Sequence, residues 1–148
     1  MSRKLHHVGH IVKNLDEGMK LYKNVLGLTP TERGIIELPW GSRMVFFPYA
    51  GAYIELIEPA ANGNDPAARC LKARGEGLFH ISIYTDDFET ELESLRKKGL
   101  TVEEYSVPGA LPGYTTKLAF LAPEETQGLW VEFIDSANLS PVEKDFSS

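Results

Sequence analysis

The sequence predicts an α+β chain built as two tandem βαβββ modules, and three observations carry that prediction. First, a histidine opens an alternating strand twice, at His7 in HHVGHIV and at His80 in GLFHISIYTDD. Second, a helix-periodic run follows each. Leu15, Met19 and Tyr22 stand as far beyond His7 as Phe88, Leu92 and Leu95 stand beyond His80, and Gly27-Leu28 matches Gly99-Leu100 with a slip of one position. Third, each half closes on a glutamate inside a hydrophobic strand, in Tyr53-Ile54-Glu55-Leu56-Ile57 and in Trp130-Val131-Glu132-Phe133-Ile134, at similar distances from its histidine.

Taken in order, 5–12 reads as a strand and 15–26 as a helix, with Asn14 and Glu17 in capping-box spacing. Runs at 34–38 and 43–47 read as strands around a Pro39-Trp40-Gly41-Ser42 turn, before the strand at 53–57. Turn residues fill 58–66, where Asp65 can cap and Pro66 can open a helix through Arg74. After the second histidine strand, Asp86-Asp87 signals a cap. The following helix carries Glu89, Glu91 and Glu93 early and Arg96, Lys97 and Lys98 late, which reads as a solvated face that complements the helix dipole. Strands are expected at 101–104, 117–121 and 129–134, with a loop over 105–114 because that stretch holds two prolines and two glycines. The whole is read as one domain over 1–148, with module 1 at about 5–59, a connecting helix at about 65–75, module 2 at about 78–135 and a polar tail at 136–148 whose placement stays open.

Composition narrows the partners. Of 148 residues, 15 are basic and 21 acidic, for a formal charge of −6, and no basic run stands out; nucleic acid and anionic membranes are not the expected partners. No apolar run approaches the roughly 20 residues that span a bilayer, the first residues lack the apolar core of a signal peptide, and the single Cys70 has no partner for an internal disulfide. A cytoplasmic protein acting on a small molecule is the expectation.

Strict alternation places His7, Gly9 and Ile11 on one face of the first strand and His6, Val8, His10 and Val12 on the other. In the second copy it puts Phe79, Ile81 and Ile83 on an apolar face, with His80, Ser82 and Tyr84 opposite. Glu55 and Glu132 are each flanked on their own face by large apolar residues, a costly place for a charge without a partner. Two imidazoles and two carboxylates in equivalent places suit one shared divalent metal ion (Co, Ni, Zn, Mn or Fe), held by His7, Glu55, His80 and Glu132. The lack of thiolates speaks against a purely structural zinc site, and an ion that accepts five or six ligands keeps positions open for substrate. His6 and His10 are read as structural.

The stretches HHVGHIVKNLDEGMKLYKNVLGL, YIELIEP, ARGEGLFHISIYTDD and KLAFLAPEETQGLWVEF resemble the vicinal oxygen chelate (glyoxalase/bleomycin resistance/dioxygenase) superfamily over nearly all of 5–135, and look most like its methylmalonyl-CoA epimerase branch. The resemblance implies a half-open barrel around a metal held by those four residues, a homodimer, and an isomerase that removes a proton next to the thioester carbonyl of an acyl-CoA. It implies that Glu132 is both ligand and catalytic base. The second base should lie at the turn of the first half, where Pro39 stands in place of the expected glutamate, and Glu37 is the candidate substitute. Alternatives within the same resemblance are a glyoxalase I-like lyase (lactoylglutathione lyase), an extradiol dioxygenase, or a non-catalytic drug-binding protein.

Overall fold

A computed structural model describes residues 3–144, so Met1, Ser2 and the last four residues of the expected tail lie outside the described residues. The elements are β1 (Arg3–Ile11), α1 (Leu15–Lys20), β2 (Ile36–Glu37), β3 (Arg43–Tyr49), β4 (Ala52–Glu58), α2 (Pro66–Arg74), β5 (Gly77–Thr85), α3 (Phe88–Lys97), β6 (Glu103–Pro108), β7 (Thr115–Leu121), β8 (Trp130–Asp135) and α4 (Pro141–Lys144). The strands form one mixed sheet in the order β2-β3-β4-β1-β5-β8-β7-β6, nearly closed into a barrel. Its two edges approach one another: the Trp40 ring, beyond β2, lies 5.9 Å from Tyr105 of β6. No helix among the described residues is long and apolar enough to cross a membrane.

The duplication is visible in the register. In the parallel β1–β4 pair His7 faces Tyr53 and Gly9 faces Glu55; in the parallel β5–β8 pair His80 faces Trp130 and Ser82 faces Glu132. The halves join through antiparallel β1 and β5 within the one chain. The helical segments that follow β1 and β5 each pack on the outside of their own half. Leu15 and Tyr22 meet Val45, Phe47 and Leu56, and Phe88 and Leu92 meet Ala119, Leu121 and Phe133, while a third cluster fills the barrel.

Alternation fails where it matters most. Leu5 faces Ile83 but His7 faces Ser82, which leaves His6 as an extra residue; Val8 faces Ile81 but His10 faces Leu78, which leaves Phe79 and His80 opposite Gly9. A β-bulge sets two successive residues against one. His6 and His7 are therefore both buried, as are Phe79 and His80, and His6 does not face away from its neighbour as alternation requires. Ile81 and Ile83, expected on a buried apolar face, are only half-buried on the outer side.

Other expectations need smaller corrections. The helix over 15–26 is regular only to Lys20 and then widens into a π-helical turn at Leu21–Val25, while Asn14 caps it by accepting from the Glu17 amide at 3.0 Å. β6 runs through Pro108, inside the stretch expected as loop; at the sheet edge a proline's missing N–H costs no ladder bond. Neither Asp65 nor Asp87 makes the expected side-chain cap bond. Glu91 is buried and bonded to Arg3 of β1, so it is not part of a solvated face.

Candidate metal centre

Four side chains converge between the halves. His7 Nε2 lies 2.6 Å from His80 Nε2, 3.4 Å from Glu132 Oε1 and 3.6 Å from Glu55 Oε2. His80 Nε2 lies 3.9 Å from both Glu55 Oε1 and Glu132 Oε1. Ligand atoms of His7, His80 and Glu132 all fall within 4.8 Å of one another, with Glu55 as the outlying fourth. Donors bound to one divalent ion at about 2.0–2.2 Å sit about 3–3.5 Å apart, so the nitrogen–carboxylate spacings fit with small adjustments and the two imidazoles need to part slightly. Glu37 is not in this group. It is exposed, as is Pro39, while Ile36 and Leu38 between and beside them are turned inward.

The electrostatics are those of a buried site short of cations. Burial, then the neighbouring His80 and His6, drives the His7 pKa well below its ordinary value; burial, then His6, takes His80 down to about 3. Both rings are neutral and offer lone pairs. Burial raises Glu55 well above the carboxylate range, and the charge of Glu132 adds to the rise. Burial also raises Glu132, to about 8, but the Ser82 hydroxyl, donating to Oε1 at 2.6 Å, holds it back. Gly9 occupies the place equivalent to Ser82 beside Glu55, so the first half has no such hydroxyl. Two carboxyls and two neutral imidazoles, all but closed to water, are a donor set that a divalent cation would complete.

A small, partly open cavity of about 50 Å³ lies against this cluster, walled by Leu38, Trp40, Phe79 and Phe120 and reached by Glu55, His80, Glu132 and Asp65. Asp65 was expected only to cap α2. Its Oδ1 and the Trp40 indole nitrogen are instead buried and unpaired among the described residues. Burial raises the Asp65 pKa, and the Trp40 N–H and backbone amides, near but outside bonding geometry, limit the rise. His6, a structural residue by its sequence, is buried beside the cluster. It hydrogen-bonds His7 and Glu143, and the sequence signal for the latter is Ser140-Pro141-Val142-Glu143, which has capping-box spacing.

A barrel of paired βαβββ units with histidines and carboxylates meeting between them defines the class, a duplicated protein of the glyoxalase fold. The chain belongs to the Glyoxalase/Bleomycin resistance protein/Dioxygenase superfamily, whose family model matches residues 6–120. It is 28% identical over 130 residues to the mitochondrial methylmalonyl-CoA epimerase of Homo sapiens, covering 87% of this chain and 72% of that one. Among solved structures, a hypothetical protein of Bacillus halodurans superposes with a TM-score of 0.77 at 30% identity, covering 95% of this chain and 99% of that one. A methylmalonyl-CoA epimerase variant of Streptomyces coelicolor in complex with 2-nitronate-propionyl-CoA superposes with a TM-score of 0.74 at 23% identity, covering 90% of this chain and 97% of that one, a likeness of fold.

Proposed function

We propose that this chain is a metal-dependent, epimerase-like isomerase that moves a proton on the carbon next to the thioester carbonyl of a small acyl-CoA. The observation that carries this reading is the meeting of His7, His80, Glu132 and Glu55 at one buried point on the wall of an apolar cavity. A divalent cation held by these four would supply Lewis acidity and a template for the substrate oxygens. The Glu132 carboxylate takes the proton: the Cα–H bond breaks, its electron pair moves toward the thioester oxygen, and the proton passes to the carboxylate. Asp65 reaches the same cavity from the start of α2 and takes the second role that Glu37 does not fill, returning a proton to the carbon. Burial raises its pKa, the direction a proton-returning carboxyl needs. By resemblance we also expect a homodimer, which sedimentation equilibrium checks.

The test is incubation of the metal-loaded protein with methylmalonyl-CoA in heavy water. Deuterium entering the α-carbon is expected, and no exchange above the protein-free rate would overturn the reading. One observation favours a second reading: His7, Glu55, His80 and Glu132 give a His, Glu, His, Glu ligand order that also resembles the glyoxalase I-like branch. Turnover of a hemithioacetal without exchange on the thioester would select it.

A further inference from the structure

A chain of buried hydrogen bonds leads from the C-terminal helix to one edge of the cluster. Glu143 Oε1 lies 2.9 Å from His6 Nε2, and His6 Nδ1 lies 2.7 Å from His7 Nδ1. Glu143 is itself fixed by a capping box, since its Oε2 accepts from the Ser140 amide at 3.0 Å and its own amide donates to Ser140 Oγ at 3.2 Å. His6, His7, Glu143 and Ser140 are all at most 3% exposed. Tyr53, Tyr84 and Phe46 enclose the His6 ring edge-on at 5.2, 6.2 and 6.3 Å.

The proton positions follow from bonding capacity. An ionised carboxylate only accepts, so His6 Nε2 must carry the hydrogen it donates to Glu143. If that is the only hydrogen on the His6 ring, its Nδ1 is bare and can face His7 Nδ1 at 2.7 Å only when the latter carries a hydrogen. A neutral His7 protonated at Nδ1 has its lone pair on Nε2, the atom aimed at His80, Glu132 and Glu55. We propose that the Glu143–His6 pair is a positioning device for His7, locking the tautomer and ring orientation that make Nε2 a ligand, so that docking of α4 is part of assembling the metal centre. This inference rests on the metal reading above. The other half has no counterpart. The bulge residue beside His80 is Phe79, packed edge-on at 4.2 Å, and His80 Nδ1 is buried without a hydrogen-bond partner among the described residues. One imidazole is held by hydrogen bonds and the other by packing.

Phe79 also supplies the informative variant: His6→Phe copies what the second half does, keeping bulk while removing the bonds. The experiment compares wild type, His6→Phe and Glu143→Gln, recording imidazole ¹⁵N–¹H correlation spectra of the metal-free proteins and cobalt affinity by chelator competition. Wild-type His7 is expected as the Nδ1–H tautomer. His6→Phe should populate both tautomers and weaken cobalt binding about 10–100-fold, with Glu143→Gln shifted the same way by less, because an amide oxygen still accepts from His6. Cobalt affinities equal within twofold across the three proteins, or a wild-type His7 protonated at Nε2, would overturn the inference alone. A wild type with the expected tautomer that binds no cobalt would overturn the metal reading, and the inference with it. The wild-type spectrum decides the tautomer even if a variant fails to fold.

Discussion

Gly9 and His80 touch in a way that forbids a side chain at position 9: a Cβ there would lie 2.7 Å from His80 Cε1 and 2.8 Å from Nδ1. The ring cannot yield easily, since Phe79 and Phe120 pack against it at 4.2 and 5.5 Å. Gly9→Ala is therefore expected to cost about 1–3 kcal/mol in stability and to weaken cobalt binding more than tenfold by displacing His80. Urea melts of the metal-free protein and a cobalt titration check the two effects separately.

The hydroxyl of Ser82 distinguishes the two carboxyls of the cluster. It donates to Glu132 at 2.6 Å and restrains a pKa that burial has raised to about 8. Ser82→Ala removes the restraint, so the Glu132 pKa should rise further. The pH at which cobalt binding reaches half its maximal strength should then move upward by a measurable fraction of a unit, and no movement would mean that the hydroxyl does not act on Glu132.

The metal-free protein should lose stability as pH rises above neutrality. Glu132 titrates near 4.5 when unfolded and about 8 when folded, and Glu55 is raised as well, so the stability tied to their protonation is lost as pH climbs through about 8. His80 goes the other way, from 6.5 down to about 3, and its contribution is full above 6.5 and lost toward 3. Between about 4.5 and 6.5 the two slopes oppose one another; above 6.5 only the carboxyls act. Thermal melts are expected to show a plateau and then a falling Tm from pH 6.5 to 8, with apparent metal affinity strengthening over the same range as protons leave the ligands.

Asp65 and Glu37 offer a direct contrast between a carboxyl on the cavity wall and an exposed one. Asp65→Asn should slow interconversion of the two α-carbon configurations at least about 100-fold with little change in KM, whereas Glu37→Gln should match wild type within about twofold. Equal rates in the two variants would remove Asp65 from the mechanism.

The four converging residues were legible in the sequence because duplication sets His7 and His80, and Glu55 and Glu132, in the same register, and a repeated pattern survives errors in any single strand. His6 and Phe79 were not legible, because a bulge depends on cross-strand pairing, which local alternation does not encode. Glu37 does share a face with Pro39, but both are exposed, and which face of a two-residue edge strand looks into the barrel is not written in local sequence. Asp65 carried a genuine cap signal in sequence, yet its side chain lies in the cavity wall without making the cap bond.

The central claim is that His7, His80, Glu132 and Glu55 form a metal centre, and metal content tests it most directly. After equilibrium dialysis against cobalt and removal of free ion, wild type should retain about one ion per chain and His80→Ala essentially none. Full occupancy in folded His80→Ala, or none in wild type, would contradict the claim.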